Sequence, residues 1–460
     1  MKDSTYQHMC TILVGVASLF RYTGYDMATF IVTSLTHSAH LRNPSAIIDN
    51  AGYYGQAVKE MSSCLSFFIV PIILNYIKPK WALVVGSGLF AFYIATFFYI
   101  NTYLYFSANV LLGVAFTLIY TAFSTYQLQF STRKTLARNS ATAYGIAGFS
   151  LLFGGALYIY VTTAHSETAH EAVAVGTQQY RYYSEAETRT MCGFLFACCL
   201  ISLLIHALLP NKEIPNSLAS ESPHEKLTLT KQVGVTASVL TNSYILMFIP
   251  RFLNYGLFMS FYMNIYPTSL QFSTILASRH PMLTAYYAIA MCAGIAIGGL
   301  IIARLNHSFH DFGLRPLYYI TMALQLVTYG IAVLTVPNRS TAQPTDDSAL
   351  TESHLIWVLM VAFLLGFTDS AQNASNTVLC SRLIPGRAAH TYAAARFFVG
   401  IAASLIFFCS PLLTMTMHAI ILTSTTVVSG LSFNLGVIQV EKREEAERTK
   451  NNLDLPELKY

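Results

Sequence analysis

Nearly uninterrupted apolar stretches of about twenty residues recur along the whole chain, each the length an α-helix needs to cross a bilayer core of about 30 Å at 1.5 Å per residue. A helix satisfies its own backbone donors and acceptors, so it can sit in lipid where open loops and sheet edges cannot. Of 460 residues, 54% are hydrophobic and only 11% charged, against roughly 25% charged in an ordinary soluble domain. That balance excludes a soluble globular enzyme, a disordered chain, a collagen-like repeat and a small disulfide scaffold. A transmembrane barrel is excluded as well, because its strands alternate polar and apolar residues over segments of about ten.

Twelve spans are expected: 9–35, 51–77, 81–100, 103–128, 141–161 and 191–209, then 243–266, 282–303, 317–336, 355–379, 392–413 and 416–440. Basic residues give the orientation independently. With the N-terminus cytoplasmic, eighteen Lys and Arg fall on the cytoplasmic side, from Lys2, through the turn with Arg133, Lys134 and Arg138, to Lys442, Arg443 and Lys459. The opposite side holds only Arg42, Arg181, Arg189, Arg279 and Arg339, so both termini are expected to be cytoplasmic. The formal net charge of +5 thus reports topology, and no nucleic-acid partner is expected; the bilayer is the partner. Residues 9–20 run straight into Arg21 without a small-residue cleavage site, so they read as a first span and not as a signal peptide.

The expected organisation is a six-helix half at 1–209, a polar cytoplasmic linker at 210–242, a second half at 243–440 and a tail at 441–460. Three echoes in shared order support a repeat. Arg21-Tyr22-x-x-Tyr25 matches Arg251-Phe252-x-x-Tyr255, Leu111-Leu112-Gly113 matches Leu364-Leu365-Gly366, and Arg133, Arg138 and Thr142 match Arg382, Arg387 and Thr391. The fold class is therefore all-α integral membrane, with twelve helices in two pseudo-symmetric halves on the plan of the major facilitator superfamily.

Seven charged residues lie at membrane depth: Arg21, Asp26, Lys59, Glu60, Arg251, Asp369 and Arg396. A charge there costs at least about 2.5–3.5 kcal/mol on insertion scales, so it needs a partner or a function. One reading makes them the lining of a cavity that binds an anion or relays protons, with Arg21 and Arg251 facing each other; the other makes them structural ion pairs. Tyr25 shares a helix face with Arg21, and Tyr255 with Arg251. Asp369, Gln372, Asn373 and Asn376 form one polar stripe, which is either a cavity lining or a line of interhelical hydrogen bonds.

Other motifs carry less. His37 with His40, and His165 with His170, read as loop histidines with no zinc geometry. Asn338-Arg339-Ser340 is a glycosylation sequon on an external loop, whereas Asn306-His307-Ser308 is cytoplasmic and Asn373-Ala374-Ser375 lies in a span. Gly294 and Gly298 form a GxxxG packing pattern. The eight cysteines fall in or at the ends of spans, so external disulfides are not expected. Residues 441–450 read as a solvated continuation of the last helix. No phosphate loop, nucleophile elbow or cysteine–histidine array is found, so neither an enzyme nor a cofactor or metal is expected.

The sequence resembles the uncoordinated-93-like branch of the major facilitator superfamily. The likeness runs through Gly52-Tyr53-Tyr54-Gly55-Gln56, Lys80-Trp81 with Gly86, Leu112-Gly113, Ser131-Thr132 to Ser140, Tyr255-Gly256-Leu257, Gly366 to Asp369 and Arg396-Phe397-Phe398. The resemblance implies a non-enzymatic accessory protein or trafficking chaperone of another membrane protein, such as a two-pore-domain potassium channel, at the plasma membrane. Ala122-Phe123-Ser124, Phe258 and Val399 stand where relatives often carry polar residues, and Asn75-Tyr76-Ile77-Lys78-Pro79-Lys80 replaces the facilitator signature between spans two and three. A cavity that has lost polar groups is a poor host for a hydrophilic solute. The alternative is a secondary transporter of a small anionic or amphipathic solute, working through Arg21, Arg251, Asp369 and Arg396.

Overall fold

The computed structural model describes residues 3–132, 134–165, 180–212, 214, 217–221, 234, 237–308, 314–384 and 388–453. Lys2, Arg133, His170, Lys226, Lys231, Arg387 and Lys459, with most of the 210–242 linker and the end of the tail, lie outside the described residues.

Helices stand at each of the twelve expected spans: α1 (Asp3–Arg42), α2 (Ala51–Tyr76), α3 (Pro79–Ala95), α4 (Thr102–Phe130), α5 in two segments (Leu136–Ala147 and Ser150–Ala164) and α6 (Glu185–Leu208). The second set is α7 in segments (Ser243–Met247, Ile249–Ser260 and Tyr266–Phe272), α8 (Leu283–Ser308), α9 (Arg315–Thr335), α10 (Leu355–Leu383), α11 (Ala388–Cys409) and α12 (Met415–Leu453). No sheet forms among the described residues, and Ser273 with Thr345 makes an isolated bridge. Nine of these helices, α3 to α6 and α8 to α12, are long and apolar enough to cross a membrane. Of the other three, α1 holds Arg21 and Asp26 among many threonines and serines, and α7 is interrupted by its π turn.

Local chemistry sets the helix ends. Asn101 Oδ1 accepts from the Tyr103 and Leu104 backbone N–H groups at 3.0 and 3.3 Å, Ser184 Oγ from Glu187 at 3.1 Å, and Asn242 Oδ1 from Tyr244 at 3.0 Å. Asn50 enters α2 with φ 56°, a left-handed conformation that asparagine tolerates.

Two expected spans are not continuous. α5 breaks at Gly148 and Phe149, which brings Ser150 against α1. α7 passes through a π-helical turn at Phe261–Ile265, then through Pro267, and ends at Phe272 and not at 266. A π turn shifts side chains by one position, so the seventh span presents Asn264 to its neighbour.

The principal packing pairs repeat. Within the first six helices they are α1–α5, α1–α6, α2–α4, α3–α4 and α3–α6; adding six to each number gives the principal pairs of the second set, α7–α11, α7–α12, α8–α10, α9–α10 and α9–α12. Across the two sets the main pairs are α2–α11 and α5–α8, which the same operation interchanges. The Leu-Leu-Gly echo serves one job in both: a Cβ on Gly113 of α4 would strike the Lys59 carbonyl on α2, and a Cβ on Gly366 of α10 would strike the Met291 carbonyl on α8. Gly294 lets α8 approach Phe363 of α10 just as closely, and Gly298 packs more loosely against Phe367, the packing role expected of GxxxG. Large apolar side chains such as Leu65, Leu204, Leu300, Phe408 and Leu431 point outward, as a lipid-facing surface requires.

The tail is not merely solvated. α12 runs on to Leu453, and Arg443 donates to the carbonyls of Arg382 and Leu383 at 2.6 and 2.8 Å, capping the C-terminal end of α10. Glu441 pairs with Arg315 at 2.5 Å and Glu444 with Arg382 at 3.7 Å. Long basic side chains reach the last carbonyls of a helix readily, which is why this extension docks.

Candidate functional site

A cavity of about 120 Å³ lies between the two sets of helices. α1 contributes Tyr25; α2 contributes Gln56, Lys59, Glu60, Ser63 and Phe67; α4 contributes Phe116, Thr117 and Tyr120. From the other side come Met259, Ser260 and Met263 of α7 and Arg396, Val399, Gly400 and Phe407 of α11. Positions 56, 59, 60 and 63 fall on one face of α2, which is how a single apolar-looking helix supplies a polar wall.

The cavity's charges are largely spent on one another. Lys59 Nζ lies 2.5 Å from Glu60 Oε1 and donates to Tyr25 Oη at 2.8 Å, with both charged residues buried. Arg396 Nη2 donates to Tyr392 Oη at 3.0 Å, and its guanidinium lies over the rings of Tyr120, Tyr392 and Tyr255 at 5.4, 5.4 and 5.9 Å. Such cation–π contacts hold a buried guanidinium without neutralising it. Tyr120 Oη and Tyr392 Oη meet at 2.9 Å, with their rings stacked at 11°, and join α4 to α11.

The other expected residues are distributed differently. Arg21 packs over Tyr22 and Phe90 at 4.0 and 5.0 Å and lines a smaller pocket with Ser18, Tyr22, Ile119, Tyr120, Phe123 and Tyr144. Arg251 is buried inside the second set, with Nη1 on Gln372 Oε1 and its guanidinium 4.3 Å from the Tyr318 ring. The expectation that the two arginines face each other is corrected, because each turns toward the third helix of its own set. Asp26 accepts from Ser150 Oγ at 3.3 Å. Asp369 accepts from Tyr262 at 2.9 Å, Tyr255 at 3.4 Å and Asn373 at 3.2 Å. The α10 stripe therefore divides. Asp369 and Asn373 serve the tyrosines of α7, while Gln372 turns to Arg251 and Asn376 accepts from Cys380 Sγ at 3.9 Å. None of the four is among the lining residues of the cavity.

Sequence reading passed over the polar contacts that tie the two sets together. Asn264 Nδ2 donates to the Thr29 carbonyl at 2.9 Å, and its Oδ1 accepts from Thr33 at 2.9 Å. Gln271 Nε2 donates to the Phe30 carbonyl at 2.7 Å, and its Oε1 accepts from Ser34 and, at 2.9 Å, from Tyr183. Tyr53 Oη donates to Thr341 O at 2.6 Å and Ser404 Oγ to Ala57 O at 2.8 Å. The available signal was an isolated Asn or Gln in an apolar run, which favours an interhelical bond. Arg181, counted on the side opposite the cytoplasm, is buried and pairs with Glu187 while donating to Tyr158 Oη at 3.0 Å.

His37 contacts Asp49 at 3.5 Å, and His40 contacts the Ile47 carbonyl at 2.7 Å; no group of three metal-binding side chains occurs among the described residues. The eight cysteines are unpaired. Asn338 is exposed and its Oδ1 accepts from Thr416 N at 2.9 Å.

A twelve-helix bundle with a two-fold repeat and a cavity between its halves defines the class: an integral membrane protein of the major facilitator fold. Solved structures agree in fold. The nucleoside transporter NupG superposes at TM-score 0.60 with 13% identity, covering 93% of this chain and 99% of that one. A POT family transporter in complex with 5-aminolevulinic acid superposes at 0.64 with 11% identity, covering 94% and 96%. The profile of the family described as "Ion channel regulatory protein UNC-93" matches residues 43–434, and the chain belongs to that family. UNC93-like proteins MFSD11 of Xenopus laevis and Xenopus tropicalis are 20% and 21% identical to it, each covering 92% of this chain and 94% of their own length.

Proposed function

We propose that this protein is a non-enzymatic regulator of a membrane-protein partner, and that the partner is a potassium channel of the two-pore-domain class. Family membership supports a regulator, and one feature of the cavity carries the reading: Lys59 is committed to Glu60 and Tyr25, while Val399 and Phe407 face the same space. A hydrophilic solute entering there would lose water and gain few replacement hydrogen bonds. In this reading both termini are cytoplasmic, the halves are residues 1–209 and 243–440, the protein resides at the plasma membrane and Asn338 carries an external glycan. The test is whole-cell current from a two-pore-domain channel with and without this protein, with the channel's surface level scored in the same cells. Altered current at constant surface level is expected. An unchanged current together with an unchanged surface level overturns the proposal.

A second reading is favoured by the placement of bonds around the cavity. The Asn264 and Gln271 contacts join α1 to α7 toward the ends of those helices, and the Tyr120–Tyr392 contact joins α4 to α11 at the cavity wall. Two separate closures are what alternating access between halves needs. A transporter of a small anionic or amphipathic solute would lose flux, at unchanged surface abundance, on replacement of Arg21 or Asp369.

A further inference from the structure

Gln56 is fully buried, lines the central cavity, and has neither a donor for its Oε1 nor an acceptor for its Nε2. A carboxamide offers two donor hydrogens and two acceptor lone pairs, and leaving all of them unmet at a buried position is unfavourable. Elsewhere on the lining stand the aromatic and thioether side chains of Phe67, Phe116, Met259, Met263 and Phe407. The nearest charges on its own helix, Lys59 and Glu60, neutralise each other at 2.5 Å and so favour neither a cation nor an anion. A water molecule needs roughly 10–15 Å³ of such space, so a cavity of about 120 Å³ has room for a molecule of several heavy atoms.

We infer that this cavity binds a small uncharged amphipathic molecule, its single hydrogen-bonding group, an amide or a hydroxyl, on the Gln56 carboxamide and its apolar body against the part of the wall that includes Phe116 and Met263. A neutral donor–acceptor group answers both orphaned atoms of Gln56 at once. A carboxylate answers only the amide nitrogen, and an ammonium only the oxygen. The remaining cation at the cavity is Arg396, whose charge the three tyrosine rings leave in place, so an anion is the competing occupant that the test must exclude. The site stands whether the protein regulates a channel or moves a solute, since it rests on the wall of the cavity alone.

The experiment uses the full chain purified in detergent and measures its thermal unfolding midpoint against three probes of one chain length: hexanamide, hexanoate and hexylammonium. Hexanamide is expected to raise the midpoint in a saturable way, with the apparent affinity at least about tenfold weaker in Gln56→Leu, and the charged probes are expected to act only weakly. Phe116→Trp, which fills the cavity and leaves Gln56 in place, is expected to abolish the effect and covers the case in which Gln56→Leu fails to fold. A shift with hexanoate that Arg396→Gln removes overturns the proposal in favour of an anion site. No saturable shift with any probe, or a hexanamide shift that survives both variants, overturns it in favour of a cavity filled by water. Channel current plays no part in this readout, so failure of the regulatory reading leaves the outcome interpretable.

Discussion

Tyr120 and Tyr392 lie hydroxyl to hydroxyl at 2.9 Å with their rings 11° from parallel, although they are separated by 272 residues and belong to opposite halves. Tyr120 also lines both the central cavity and the smaller pocket around Arg21. Tyr120→Phe and Tyr392→Phe each keep the stack and remove the hydroxyl bond, at an expected cost of about 0.5–1.5 kcal/mol. Tyr392 Oη also accepts from Arg396, so Tyr392→Phe should cost more than Tyr120→Phe, and the double variant should cost little more than Tyr392→Phe alone. A double-mutant cycle on unfolding midpoints checks this, and strictly additive losses would show that the hydroxyls do not interact.

Lys59 and Glu60 are adjacent in sequence, buried, and 2.5 Å apart. Breaking such a pair leaves one charge stranded. Lys59→Met is expected to destabilise by about 3–5 kcal/mol, enough to reduce folded yield, and Lys59→Met with Glu60→Gln should recover most of the loss. Size-exclusion profiles of the three proteins expressed in parallel decide it; a double variant as impaired as the single would mean that the lysine acts through something other than Glu60.

The spans and the two-fold repeat were legible because lipid imposes a length and a hydropathy on every crossing helix, and the Leu-Leu-Gly echo was legible because close helix approach demands glycine. Pairing was not legible. Arg251 takes Gln372 and Tyr318 as partners, and Asp369 takes Tyr262 and Tyr255, contacts between side chains that no periodicity links. The break in α5 and the π turn in α7 were hidden inside uniformly apolar runs, where hydropathy has no contrast to report. Gln56 was quoted only for its family likeness, since nothing in the sequence says that its amide would be left unpartnered.

Gly113 and Gly366 hold equivalent positions in α4 and α10, each against a backbone carbonyl of the neighbouring helix. Alanine at either must push two helices apart, an overpacking expected to cost about 1–3 kcal/mol. Gly330 of α9 has open space where a Cβ would go. Alanine there is expected to be neutral or stabilising by up to about 1 kcal/mol through helix propensity. Unfolding midpoints of the three variants should therefore fall, fall and hold or rise, and a loss at Gly330 equal to the other two would remove the packing explanation.

Asp49, in the turn between α1 and α2, is held below the usual carboxylate range chiefly by its contact with His37, against an opposing effect of partial burial. A depressed folded-state pKa means that the contact stabilises the protein above the unfolded value near 3.9, and that this contribution disappears as pH falls through the still lower folded value. The carboxylate is 55% exposed, so solvent screening limits the contribution to about 1 kcal/mol or less. Many carboxylates titrate in that window, and the informative quantity is the difference between the wild type and Asp49→Asn. The wild type should be the more stable at pH 6, with the gap narrowing as pH falls below the unfolded value near 3.9 and the folded carboxyl protonates. A gap that stays constant over that range in paired unfolding curves would mean that the ionised form of Asp49 gains nothing from His37.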